Sequence, residues 1–291
     1  MRIEKKAALI ASAVAFLLLI IKFTAGIISG SVAILASAID SLLDIAISIF
    51  NYFALHTADK EADERFNFGR GKIEAIAAVI EGVIITISGM YILYLSIDKL
   101  ITNAEPSYIV ASVIVMLIST IITGALVLFL IHIAKKSNSI VIKADALHYK
   151  TDLFTNGGIL LSLGIIALTD WFIIDALVGI GIALYIIYSA YGLIKEGTLM
   201  LLDVALEPEL VQQIVTIIDA QEDVNSHHWL QTRRSGSDIF VSMHLVFDED
   251  ISLLKAHKIS DKIDAKIKRI DNHFNWRITI HLDPHDDSGG H

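Results

Sequence analysis

The sequence predicts a membrane α-helical protein of six transmembrane helices followed by a small cytoplasmic α+β domain. Three observations predict it. The 291-residue chain is 54% hydrophobic, with a mean hydropathy of +0.63, yet 19% of it is charged, so apolar and charged residues are segregated along the chain. Apolar windows of about 20 residues or more, long enough to cross a bilayer, recur six times. From about residue 205 the pattern changes to short alternating and helical runs rich in Asp, Glu, Lys and His.

The six windows run near 7–29, 32–56, 76–101, 108–134, 140–166 and 171–195. The opening MRIEKK before the first could belong to a signal peptide, but no small-residue cleavage pattern follows, so the window reads as span one. Lys22, deep in that span, is expected to be structural, snorkelling or paired with a carboxylate. Arg2, Lys5, Lys6, Lys60, Arg65, Arg70, Lys72, Lys135, Lys136, Lys143 and Lys195 fall on one side of the six-span arrangement, and Lys99 on the other. The positive-inside rule then places both termini in the cytoplasm of a multi-pass cell-membrane protein, the inner membrane if the cell has two. The external loops, around Ser29 and Gly30, Thr102 to Tyr108 and Asp170, are short.

The boundary near Glu207 and Pro208 gives two expected domains, 1–204 in the membrane and 205–291 outside it. Pro208 can open a helix over PELVQQIVTIIDA, since proline is accepted in the first turn. Alternation in HHWLQTRR and DIFVSMHLVF suggests two strands turning at RRSGSD. Ser252 to Ile270 reads as a second helix and WRITIHLDP as a third strand, an αββαβ order with the helices on one sheet face.

Ionisable residues inside the spans are costly and therefore informative. Along span two, Asp40, Asp44, Ser48 and Asn51 follow helical spacing; along span five, Asp145, His148, Asp152 and Asn156 do the same. Lipid tolerates neither stripe, so each faces protein or water. Packing glue between helices explains Ser and Asn well but not two matched ionisable pairs. Asp40, Asp44, His148 and Asp152 together offer three carboxylates and an imidazole, a four-donor set suited to a tetrahedral divalent ion. Metal and protons should compete for such a site, because His148 must be neutral to ligate and buried carboxylates resist standing empty and charged. Asp145 reads as a residue at the mouth of the site rather than a ligand.

Composition excludes several classes. With no cysteine, disulfides, thiolate zinc sites and cysteine nucleophiles are absent. The net charge of −9 and the lack of a basic stripe argue against nucleic acid as a partner. No phosphate-binding loop occurs, and no H-E-x-x-H pair supports an intramembrane metalloprotease. A membrane-anchored metal sensor would have no need of buried carboxylates in its anchor.

The chain resembles the cation diffusion facilitators, dimeric metal/proton antiporters, and especially their bacterial iron/zinc-type branch. The likeness spans nearly the whole sequence and rests on SGSVAILASAIDSLLDIAIS, FGRGKIE, KADALHYKTD, LMLLD, HWLQTRRSG, MHLVF and IHLDP in that order. It implies that Asp40, Asp44, His148 and Asp152 form the transport site of a homodimeric secondary antiporter, not an enzyme. Its cargo would be zinc, or iron(II), cadmium, cobalt or manganese, exported from the cytoplasm against protons. It also implies a metallochaperone-like cytoplasmic domain with a second metal site drawn from His228, His244, His257, His281 and Asp283, with His227, His273, His285 and His291 as surface groups. Lys72 and Asp203 match positions making charge contacts between protomers. Many relatives carry a further site written D-x-x-H-x-F-G-H-G; this chain reads DERFNFGRG, with Phe66 and Arg70 in the histidine positions, so that site is expected to be absent.

Overall fold

The computed structural model describes residues 3–30, 32–102, 110–169, 171 and 173–286. Arg2, the expected external loop over 103–108, Asp170 and His291 lie outside the described residues. The chain divides into two compact units, Met1–Thr198 and Leu199–His291, slightly before the boundary expected from composition.

Six long helices build the first: α1 (Ile3–Ser29), α2 (Val32–Ala58), α3 (Lys72–Thr102), α4 (Val110–Ser137), α5 (Ile140–Thr169) and α6 (Ile173–Leu201). Among the described residues, five are long and apolar enough to cross a membrane by length and composition. The sixth, α5, is as long, but its first half carries Lys143, Asp145, His148, Lys150 and Asp152. Helix α1 packs on α2 and α4, α5 on α4 and α2, and α3 on α2 and α5.

Lipid is as apolar as leucine, so close packing rather than water exclusion must join these helices. The residues where they meet are accordingly small. Ala7, Ala8, Ala11 and Ala15 of α1 are fully buried. A Cβ on Gly82 or Gly89 of α3 would meet Ile194 or Ile187 of α6 at 2.7 or 2.9 Å, so these two helices approach closely because both positions lack a side chain.

In the second unit, α7 (Pro208–Asp219), β1 (Ser226–Ser235), β2 (Asp238–Val246), α8 (Leu253–Ile267) and β3 (Asn275–Asp283) follow the expected αββαβ order. The sheet order is β1-β2-β3. Strands β1 and β2 are antiparallel across a tight turn at Gly236, whose φ of +60° suits glycine. Strand β3 runs parallel to β2, the α8 crossover making that possible. Ser252 caps α8 by accepting from the Lys255 N–H. Ile239, Val241, Met243 and Leu245 alternate along β2 and are buried with Ile214 and Ile218 of α7 and Ile259, Ile263 and Ile267 of α8. The opposite face of β2 carries Phe240, Ser242 and His244.

Candidate metal centre

The polar stripes of α2 and α5 face each other. Ser48 Oγ and Tyr149 Oη are 2.9 Å apart, and Asn51 Nδ2 donates to Asp145 Oδ1 at 3.3 Å. Higher on the same faces, Asp44, His148 and Asp152 each offer one donor atom, and these three atoms all lie within 4.8 Å of one another. His148 Nε2 and Asp44 Oδ1 are 3.1 Å apart. Two carboxylates and an imidazole converging on one point can hold a divalent cation with one position left for a fourth donor. Asp40, one turn away on α2, is exposed and stands outside this group, although within electrostatic reach of Asp152.

Three neighbours complete the surroundings of the cluster. Asp145, expected at the mouth, is fully buried. Beside it is Glu81 of α3, itself 1% exposed, which accepts from the same Asn51 Nδ2 at 3.1 Å. Sequence reasoning missed Glu81, although a lone glutamate in an apolar span was a signal. Lys22 is buried, as its depth suggested, but donates to Ser41 Oγ at 2.8 Å and the Ser37 carbonyl rather than to a carboxylate.

At the far ends of these helices, Asp175 in the first turn of α6 is held by Lys99 of α3 at 2.8 Å and Ser162 of α5 at 2.6 Å. The loop between α2 and α3 is organised by Asp63, which accepts from the Arg65 and Phe66 N–H groups and from the Arg70 guanidinium. Arg70 also lies 4.3 Å from the centroid of the Phe66 ring. The Arg70 hydrogen bond first, then the Phe66 N–H, hold the Asp63 carboxyl below its ordinary value.

In the C-terminal unit the sheet register assembles a second cluster. His228 of β1 pairs with His244 of β2, and His244 with His281 of β3, which sets three imidazoles in a row across the face opposite the helices. Adjacent ring centroids are 5.0 Å and 4.5 Å apart. Asp283, two residues beyond His281, shares that face; it accepts from His244 Nδ1 at 2.8 Å and from His281 Nδ1. Burial pushes the Asp283 carboxyl up, but the His244 and His281 hydrogen bonds outweigh this and hold it below its ordinary value. Donor atoms of His228, His244 and Asp283 lie within 4.8 Å of one another, a nitrogen and oxygen set that fits a zinc-like ion. His257 is outside the cluster, exposed on α8 beside Asp261. An irregularity between His228 and Gln231, with Trp229 at φ +50°, shifts the β1 register beside the cluster. Of the expected dimer contacts, Lys72 opens α3, and Asp203 pairs with Arg233 of its own chain at 3.1 Å.

Comparison with known proteins gives the same division. Residues 8–202 match the cation efflux transmembrane domain, and residues 206–285 the cytoplasmic domain of cation efflux proteins. The cation-efflux pump FieF of Klebsiella pneumoniae is 37% identical over 283 residues, covering 97% of this chain and 93% of the relative. FieF of Escherichia coli strain K12 is 36% identical over the same coverage. A solved structure of CzrB, described as a candidate zinc transporter, is 27% identical over 28% of this chain and all of its own, with a TM-score of 0.26. With a family match over most of its length and a membrane unit built around buried ionisable groups, the chain belongs to the cation efflux family, the cation diffusion facilitators, and is a multi-pass membrane transporter rather than an enzyme.

Proposed function

We propose that the protein exports a divalent transition-metal ion, zinc foremost with iron(II) or cadmium as further cargo, from the cytoplasm in exchange for protons, as a homodimer. The observation that carries this is the convergence of Asp44, His148 and Asp152 from two membrane helices. Asp40 completes the donor set when α2 turns, being one helical turn from Asp44 and within electrostatic reach of Asp152.

One contact supports the proton exchange. His148 Nε2 and Asp44 Oδ1 lie 3.1 Å apart, so a proton carried by either atom is held between them in a hydrogen bond. A cation bound by both atoms must displace that proton. Protonation from the other side of the membrane would reverse the exchange, so metal and proton occupy the site in alternation.

The histidine row of the C-terminal domain supports a second, resident metal site made by His228, His244 and Asp283 with His281 beside them. A metal there would tie the three strands together. Lys72 and Asp203 are proposed as protomer contacts, and both termini are placed in the cytoplasm on the lysine and arginine distribution.

Zinc uptake into proteoliposomes, measured with and without an imposed pH gradient, tests the reading. The wild type should respond to the gradient, and Asp44→Ala or His148→Ala should abolish uptake while leaving the purified protein folded. Gradient-driven uptake by either variant would reject the site.

A further inference from the structure

Beneath the Asp44, His148 and Asp152 cluster the membrane unit holds a second group of polar side chains that ligation by that cluster does not use. Asn51 of α2, Glu81 of α3 and Asp145 of α5 come from three helices and are at most 1% exposed. The Asn51 amide joins them, its Nδ2 donating to Glu81 Oε2 at 3.1 Å and to Asp145 Oδ1 at 3.3 Å. The Asn51 carbonyl oxygen Oδ1, Glu81 Oε1 and Asp145 Oδ2 are buried with no hydrogen bond of their own, the Ser48 hydroxyl lying near the Asp145 carboxyl.

A cluster built only to pack helices would not look like this. Glu81 and Asp145 together match the two N–H donors of the Asn51 amide, but two ionised carboxylates buried side by side cost several kcal/mol unless something compensates their charge. Neither carboxylate has a lysine or arginine partner among the hydrogen bonds and ion pairs of the described residues. What remains is three buried lone-pair donors, all oxygen, on a group that is dianionic when ionised. That chemistry suits a divalent cation keeping part of its water shell.

We propose that Asn51, Glu81 and Asp145 form a second intramembrane site for a divalent cation, which passes its ion to the Asp44, His148 and Asp152 cluster. Asp145 precedes His148 by three residues, about 4.5 Å along the helix axis. His148 lies within electrostatic reach of both Glu81 and Asp145. An ion in the all-oxygen site would therefore meet the imidazole after one turn of α5, exchanging water and oxygen for nitrogen. The role as a staging post rests on the transport reading; the ability to bind an ion does not.

The test is a count of bound Co(II) by equilibrium dialysis on the detergent-purified full chain. The background variant Asp44→Asn/His148→Ala/His228→Ala/His244→Ala removes the other two clusters. It should retain one ion per chain, with the weak visible absorption of an octahedral oxygen site. Adding Glu81→Gln or Asp145→Asn should weaken that binding by roughly tenfold or more, because site affinity follows ligand charge. Adding Asn51→Asp instead should tighten it, an outcome that misfolding cannot produce. No retained ion, retention unaffected by Glu81→Gln, or weaker binding in the Asn51→Asp variant would each overturn the proposal. Uptake by otherwise wild-type Glu81→Gln in proteoliposomes should be slowed but still sensitive to the pH gradient. A failure of the transport reading would show instead as undiminished uptake in His148→Ala, with the Co(II) count of the background variant unchanged.

Discussion

The contact between His148 and Asp44 lets single substitutions test the proposed competition of metal and proton at the first cluster. Asp152→Asn keeps the shape of the site but removes a charge and a strong donor. Zinc affinity at neutral pH should fall by more than about 10- to 100-fold, the range commanded even by groups that only orient ligands; titration calorimetry in detergent measures it. In the loop after α2, the depressed Asp63 carboxyl stabilises the folded loop above its unfolded-state value and stops doing so as pH falls through the folded one. Arg70→Ala should therefore raise the Asp63 titration midpoint, observable by carboxyl carbon NMR. Asp44, His148 and Asp152 were legible in the sequence because an ionisable pair one turn apart in an apolar helix is too costly to keep without a ligand or a partner. Asp145 lay in the same stripe but was misplaced at the mouth. Nothing in the spacing of α5 says that Glu81 of α3 will share the Asn51 amide with it.

Among the elements, the C-terminal sheet shows how register creates chemistry. His228, His244 and His281 are neighbours only because β1 runs antiparallel and β3 parallel to β2 at this pairing; a one-residue slip would turn one imidazole into the apolar core. The burial that holds this register sits on the other face. Ile263→Ala, at a fully buried position of α8, should destabilise the domain by about 2–5 kcal/mol and speed amide exchange along β2 in the full chain. On the histidine face, the lowered Asp283 carboxyl contributes stability above its ordinary value of 3.8 that is lost as pH falls through its folded value. In the metal-free protein Asp283→Asn should cost about 1–3 kcal/mol at neutral pH and almost nothing in strong acid, a difference that Trp229 and Trp276 fluorescence can follow. Between α3 and α6 the close approach needs missing side chains. Gly82→Leu should push the helices apart and cost about 1–3 kcal/mol, seen as a lower detergent-unfolding temperature.

At the scale of the whole molecule, a homodimer is the assembly in which Lys72 and Asp203 would act between protomers, and Lys72→Glu should shift the detergent-purified protein toward monomer in a light-scattering measurement. The helix count, the αββαβ order and the Asp40/Asp44 and His148/Asp152 pairs were legible in the sequence because each depends on local periodicity and on the cost of charge in lipid, and the family was legible in the order of its motifs. Which groups converge was decided by the tertiary structure alone. Asp40 stands apart from Asp44 although both lie on one stripe, His257 stands apart from the histidine row, and Glu81 joins Asn51 and Asp145 from a helix that carries no polar stripe of its own. The physical reason is that helical spacing and strand alternation say which side a residue faces. The partner across the gap is set by how helices rotate and strands register when small residues let them close.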